Sequence, residues 1–305
     1  MPDNGRPQSP PIDGTVTQKD AAHPLEALVD LVAAGDVVIL GGAGLSTESG
    51  IPDYRGPTGR ARSATPITYQ DFAAAASARQ RYWARSHLGW RHIAGALPNP
   101  GHVAVAELEH RGLLDGIITQ NVDGLHQAAG AKRVVELHGS LNQVVCLGCG
   151  VLTSREALDQ RLRAANAGWD AQVGQLNPDG DAVVAASDIE RFQVVDCESC
   201  SGLLKPDVVF FGENVPRPRV DQCYAMIENA SALLVLGSSL TVMSGYRFVR
   251  HAVKIGLPVA IINQGPTRGD GQAVVTLDAA LGGTLTALVT RLEELAQNRA
   301  ERTIS

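Results

Sequence analysis

The sequence predicts an α/β fold: a Rossmann-like, doubly wound parallel sheet with a smaller unit inserted into it. Three observations carry that expectation. Short apolar runs beginning near 37, 117, 134, 233 and 259 alternate with helical text, the rhythm of parallel strands joined by crossover helices. Glycine or polar residues close each run, and in open α/β sheets ligands sit off the carboxyl ends of strands. The rhythm is interrupted twice, by an Ala- and Arg-rich stretch over 57–97 and by two C-x-x-C pairs.

Length and composition bound the possibilities. A chain of 305 residues suits one large domain or a domain with a sizeable insert, and 44% hydrophobic residues support a core. A formal net charge of -6 gives no global nucleic-acid footprint, so no specific nucleic acid is expected as a partner. No run of about 18 apolar residues is present, so no membrane span is expected. Residues 1–24 are rich in Pro, Asp, Gln and Gly without apolar periodicity and read as a disordered tail. That tail has no signal-peptide core. Asp3, Asp13 and Asp20 against Arg6 and Lys19 do not suit a mitochondrial transit peptide. The expected location is cytoplasmic.

Leu25, Leu28, Val29 and Val32 fall at i, i+3, i+4 and i+7, an amphipathic helix with Pro24 near its start and Gly35 at its end. The run Val37-Val38-Ile39-Leu40 then enters Gly-Ala-Gly-Leu-Ser-Thr-Glu-Ser-Gly-Ile-Pro-Asp-Tyr-Arg-Gly (42–56). Gly42 and Gly44 let backbone approach a ligand, and Ser46 or Thr47 can open a helix whose free N–H groups suit a phosphate. This is a partial dinucleotide fingerprint. Thr47 stands at the third glycine, and no acidic residue closes a second strand about 20 residues on, as a dehydrogenase requires. The loop instead runs on through Asp53, Tyr54 and Arg55.

After the helical stretch 57–97, closed by Pro98 and Pro100, a helix is expected over 102–111. The strand at 117 ends in Gln120, Asn121 and Asp123, placed to meet a ligand or simply to form a turn. The strand at 134 ends in His138-Gly139; a histidine there can be a general base or a structural residue. Lys205-Pro206-Asp207-Val208-Val209-Phe210-Phe211-Gly212-Glu213 reads as extended. A helix over 221–230 holds Cys223 as a small core residue. The strand at 233 ends in Gly237-Ser238-Ser239. A helix over 246–255 leads to the strand at 259, which ends in Asn263-Gln264-Gly265. Leu285, Leu288, Val289, Leu292 and Leu295 mark a C-terminal amphipathic helix.

Cys146-x-x-Cys149 and Cys197-x-x-Cys200 are two knuckles, each able to give two thiolates to a tetrahedral Zn²⁺. In a chain without a secretion signal they suggest metal before disulfide. Four cysteine ligands leave no open position, so the zinc is read as structural. The 47-residue spacer (150–196) is longer than usual and reads as an insert, helical over 155–165 with a turn at Asn177-Pro178-Asp179-Gly180.

In sequence the chain resembles the sirtuins, the NAD-dependent protein deacylases. The carriers are the loop 42–56, TQNVDGLH (119–126), His138-Gly139, the two cysteine pairs, KPDVVFFGE (205–213), GSSL (237–240) and INQGPT (262–267). The resemblance spans about 25–297. The long spacer, Asp53-Tyr54-Arg55 and RQRYWARSHLGW (79–90) look most like the class II branch, which includes a mitochondrial sirtuin of animals and bacterial relatives.

The resemblance implies a Rossmann-like NAD-binding domain (25–56, 98–140 and 205–300) and a smaller domain made of the helical insert 57–97 and the zinc-binding module 141–204. It implies NAD as co-substrate, structural zinc, and acyl-lysine proteins or peptides as substrates. Gly42, Ala43, Gly44, Thr47, Asp53, Tyr54 and Arg55 match the loop around pyrophosphate and nicotinamide ribose. Gln120, Asn121 and Asp123 match the nicotinamide pocket, with Asn121 and Asp123 also catalytic. Gly237, Ser238 and Ser239 match a phosphate- and ribose-contacting turn. Asn263, Gln264 and Gly265 match the adenosine-ribose site, and Leu281 a residue near adenine. His138 matches the catalytic base. Val209, Phe210, Phe211 and Gly212 match an edge that pairs with substrate backbone. Tyr82 and Arg85 share a helix face and match a pair that holds an acidic acyl group, predicting a preference for succinyl- or glutaryl-like groups. The implied activity is transfer of the acyl group to ADP-ribose with release of nicotinamide. The alternatives are mono-ADP-ribosyl transfer to protein and an NAD-sensing scaffold with little turnover.

Overall fold

The computed structural model describes residues 24–53, 66–171 and 182–304, with side chains to 301. The expected tail, apart from Pro24, lies outside the described residues, as do Tyr54, Arg55 and the turn at 177–180.

Helix α1 (Pro24–Ala33) buries Leu28, Val29 and Val32, as its spacing predicts. Strand β1 (Val37–Gly41) is buried throughout and runs into a 3₁₀ segment, Ala43–Ser49. The helical insert forms α2 (Tyr69–Ala74) and α3 (Ala76–Ala94). Helix α4 (Pro100–His110) starts two residues before the expected 102, because Asn99 caps it by accepting from Gly101 N and His102 N. Strand β2 (Leu114–Thr119), the short α5 (Leu125–Ala128) and β3 (Val134–Glu136) follow.

The cysteine-bearing region contributes β4 (Gly139–Cys146), β5 (Leu152–Ser154), α6 (Arg155–Ala165), α7 (Ala186–Arg191) and β6 (Leu204–Val208). The chain then completes α8 (Arg217–Asn229), β7 (Ala232–Leu236), α9 (Met243–Lys254), β8 (Val259–Asn263), β9 (Val275–Asp278) and α10 (Leu281–Ile304).

Six strands form one parallel sheet in the order β3-β2-β1-β7-β8-β9. Apolar residues cover both faces. One face packs against α1, α4 and α10 through residues such as Leu28, Val105 and Leu288. The other packs against α8 and α9 through residues such as Cys223, Ile227 and Phe248. The chain steps outward from β1 to β3, then returns to place β7 on the other side of β1. A crevice opens where the order reverses, between the carboxyl ends of β1 and β7. Gly41 is level there with Thr119 of β2 and Leu236 of β7.

A second sheet, antiparallel in the order β5-β4-β6, packs with α3 and α6 around Trp83, Leu158, Phe192 and Phe210. No helix among the described residues is long and apolar enough to cross a membrane.

Candidate active site

The crevice widens into a cavity of about 700 Å³, within the range of ligand sites. Its walls come from every strand end that the sequence singles out. Gly42, Ala43, Gly44, Thr47 and Asp53 line it from the loop after β1; Gln120, Asn121 and Asp123 from the end of β2; His138 from the end of β3. Gly237, Ser238 and Ser239 follow β7, Asn263, Gln264 and Gly265 follow β8, and Leu281 opens α10. Val209, Phe210, Phe211 and Gly212 line it beyond β6. Residues as far apart in sequence as Gly42 and Leu281 thus meet at one crevice.

The loop after β1 is held against the turn after β7. Gly44 N donates to the Gly237 carbonyl at 2.8 Å, and Gly42 N to that of Leu236 at 2.9 Å. A Cβ on Gly42 or Gly44 would lie 2.7 or 2.8 Å from backbone or side-chain atoms of residues 237–238. Only glycines allow this crossing, and they leave a backbone-lined cradle suited to a dinucleotide pyrophosphate.

Beside it runs a hydrogen-bonded chain. Asn121 Nδ2 donates to the Gly42 carbonyl at 3.1 Å and to Ser46 Oγ at 2.9 Å. Ser46 Oγ donates to Asp123 Oδ2 at 2.7 Å, and Asp123 Oδ1 accepts from Leu125 N at 3.0 Å. Gln120 Nε2 donates to Ser238 Oγ at 2.9 Å. These partners hold Asn121 and Asp123 in one orientation, with a carboxylate and an amide dipole at the cavity wall. Such fixed dipoles can stabilise positive charge developing on a bound sugar.

His138 is tied at both ring nitrogens. Nδ1 lies 2.9 Å from the Gln120 carbonyl oxygen and Nε2 lies 2.8 Å from Ser244 Oγ. Burial pushes its pKa below the usual histidine value, and Arg219 and Arg247 push the same way, against the Gln120 carbonyl. The ring is therefore neutral at pH 7 and able to accept a proton.

Ser46 and Ser244 organise the two polar groups of the site, and sequence reasoning assigned neither that part. Ser46 appeared only as a possible helix opener, and Ser244 carried no motif. A lone serine has no spacing signal; its role appears only when distant strand ends converge.

The substrate-facing segment is also tied. Val209 N donates to the His138 carbonyl at 2.8 Å, and the Phe211 carbonyl accepts from Tyr69 N at 2.9 Å. Tyr82, buried among Phe72, Trp83 and Phe210, reaches the cavity wall. Arg85 is not among the described residues that line it; its Nε donates to the Ala182 carbonyl at 2.9 Å. The structure therefore brings Tyr82 to the wall without Arg85.

The four cysteines Cys146, Cys149, Cys197 and Cys200 come together at the far end of β4 and β6, their sulfurs all within 4.8 Å of one another. The Cys146–Cys200 and Cys149–Cys197 sulfur separations are 3.5 and 3.8 Å. Tetrahedral zinc with Zn–S bonds of about 2.3 Å puts its sulfurs roughly 3.8 Å apart. The donor set and spacing fit zinc with no position left for a reactant, away from the cavity.

Comparison with known proteins agrees with this geometry. The model of the Sir2 family matches residues 42–244. The NAD-dependent protein deacetylase 1 of Streptomyces coelicolor is 58% identical over 268 residues, covering 88% of this chain and 90% of that protein. The NAD-dependent protein lipoamidase sirtuin-4, mitochondrial, of Homo sapiens is 43% identical over 282 residues, covering 92% and 88%. A solved Sir2–p53 peptide–NAD+ complex superposes with a TM-score of 0.71 at 30% identity, covering 88% of this chain and 98% of that one.

Proposed function

Because the chain belongs to the Sir2 family, we propose that it is an NAD-dependent protein lysine deacylase. In this reading it moves an acyl group from lysine to ADP-ribose and releases nicotinamide. The observation that carries the reading is the convergence on one cavity of a glycine cradle, the Asn121–Ser46–Asp123 chain and a neutral His138. A dehydrogenase fingerprint would add a third glycine, where Thr47 stands, and an acidic residue closing a second strand.

NAD lies with its pyrophosphate on the loop 42–47, its adenosine toward Asn263, Gln264, Gly265 and Leu281, and its nicotinamide ribose near Asn121 and Asp123. Asp53 lines the cavity and belongs to this end. The acyl-lysine enters past Tyr82 and Phe210, its backbone lying along the edge 209–212. As nicotinamide departs, the Asp123 carboxylate and the Asn121 amide face the positive charge growing on the ribose carbon. The acyl oxygen attacks that carbon. His138 then removes a proton from a ribose hydroxyl, which attacks the acyl carbon. Zinc braces the antiparallel sheet and takes no part in the reaction. The division into an NAD-holding unit and a smaller helical-plus-zinc unit belongs to the same proposal. So does a cytoplasmic location, which suits four unbridged thiols gathered for metal.

The test is incubation of purified protein with NAD and lysine peptides carrying acetyl, long-chain and glutaryl groups. Nicotinamide and free lysine should appear together. Nicotinamide without free lysine indicates ADP-ribosyl transfer; no nicotinamide indicates an NAD-binding scaffold. A glutaryl preference that survives Arg85→Ala removes Arg85 from acyl selection.

A further inference from the structure

We propose that Ser244 is a catalytic proton relay, passing the ribose proton to His138 in the deacylase reaction on which this inference rests. Ser244 stands in the first turn of α9 and lines the cavity beside His138. Its Oγ is 2.8 Å from His138 Nε2, while His138 Nδ1 is 2.9 Å from the Gln120 carbonyl oxygen. A carbonyl only accepts, so Nδ1 carries the ring's proton. Nε2 then holds the lone pair of the neutral imidazole, and Ser244 donates to it. The basic lone pair thus meets the cavity through a hydroxyl.

A Cβ on Gly245 would come within 2.4 Å of Gln120 Oε1. Glycine therefore leaves room beside Ser244 for the Gln120 side chain, which donates to Ser238 Oγ at 2.9 Å. The Gln120 backbone carbonyl fixes the ring's tautomer.

A serine hydroxyl has one donor and two lone pairs, so Ser244 can donate to Nε2 while accepting from a second hydroxyl. The ribose O–H bond breaks and its proton goes to Ser244 Oγ, while the proton on Oγ goes to His138 Nε2. The freed electron pair on the ribose oxygen forms the bond to the acyl carbon, whose C=N π bond, left when the acyl oxygen took the ribose carbon, breaks with its pair moving to the lysine nitrogen. Serine ends as it began, and the imidazole gains the proton and its charge.

Wild type, Ser244→Ala and Ser244→Thr should be compared in two assays. One is exchange of labelled nicotinamide into NAD in the presence of acyl-peptide, which reports bond breaking before any base acts. The other is formation of free lysine. Ser244→Ala should exchange nicotinamide like wild type but form free lysine about 10- to 100-fold more slowly. Ser244→Thr keeps the hydroxyl and should recover most of that rate. Free lysine formed by Ser244→Ala at the wild-type rate or faster overturns the relay, since the hydroxyl would then only cap the base. Equal losses in both assays also overturn it, because the residue would then be arranging the whole site. Wild type that exchanges nicotinamide and forms no free lysine overturns the deacylase reading itself.

Discussion

At the scale of single residues, His126, packed against Gly41 at the end of β1, shows how much the interior relies on neutral side chains. It lies in α5 and is 1% exposed, its ring edge-on to that of the fully buried His102 at 5.2 Å. Burial, with the neighbouring His102 adding to it, pushes its pKa down to about 3. The unfolded chain binds a proton on this ring below about pH 6.5, and the folded chain does not until far lower. Its contribution is therefore intact above that value and is lost as pH falls. At pH 5 the loss is about 2 kcal/mol, set by the unfolded value alone as long as the folded one lies well below 5. Urea unfolding at pH 7.5 and pH 5 should show wild type losing about 2 kcal/mol more than His126→Gln. His87, pushed down to about 4 mainly by burial, acts in both proteins and cancels in the comparison. Equal losses would mean that His126 is protonated in the fold. Residues of this kind are invisible to sequence reasoning. Glycines and strand-end amides point to a ligand or a turn by their position at the carboxyl ends of strands, whereas a histidine within TQNVDGLH looks like any other until its burial is known.

At the scale of elements, the segment from β6 into the cavity wall is braced by a buried lysine. Lys205 is 3% exposed, and its Nζ contacts Glu213 Oε2 at 3.1 Å and the Val208 carbonyl, and lies 4.7 Å from the Phe210 ring centroid. Glu213 Oε2 in turn accepts from Phe210 N at 2.9 Å. The pair clips residues 208–213 into a fixed shape, and a preformed edge spares an incoming peptide the ordering cost. Lys205→Met should raise the peptide KM about tenfold, roughly 1.4 kcal/mol, and leave the NAD KM unchanged. A rise in both would assign the lysine to folding rather than to the edge. The same scale explains what was legible beforehand. β1, β2, β3, β7 and β8 read clearly because strands of a two-faced parallel sheet are apolar runs with abrupt polar ends. β9 was missed because it is an edge strand, only half-buried. β5, exposed at all three residues, offers no apolar pattern at all. β4 was missed because three buried residues followed by two exposed ones, with a register shift between Gly139 and Val144, break strict alternation.

At the scale of the whole molecule, β4 and β6 connect the cysteine cluster to the reactive cleft. β4 begins at Gly139, next to His138, and ends at Cys146; β6 begins at Leu204 and ends at Val208 on the cavity wall. The pairings Cys146↔Leu204 and Gly139↔Val208 mark the two ends of this connection. The six-stranded sheet does not depend on it, since its two apolar faces are closed by α1, α4, α10, α8 and α9. Zinc bound only to the folded module contributes its binding energy to that module. Removing it should loosen the antiparallel sheet first and reach the cleft through Val208 and His138. Titration with a thiol reagent should release one zinc per chain, with deacylation lost in proportion. Amide hydrogen exchange should then speed up in β4 and β6 while β1, β2, β7 and β8 stay protected. Uniform loss of protection would mean that the two sheets unfold as one unit. Full activity after zinc release would mean that the connection does not carry the cleft's geometry.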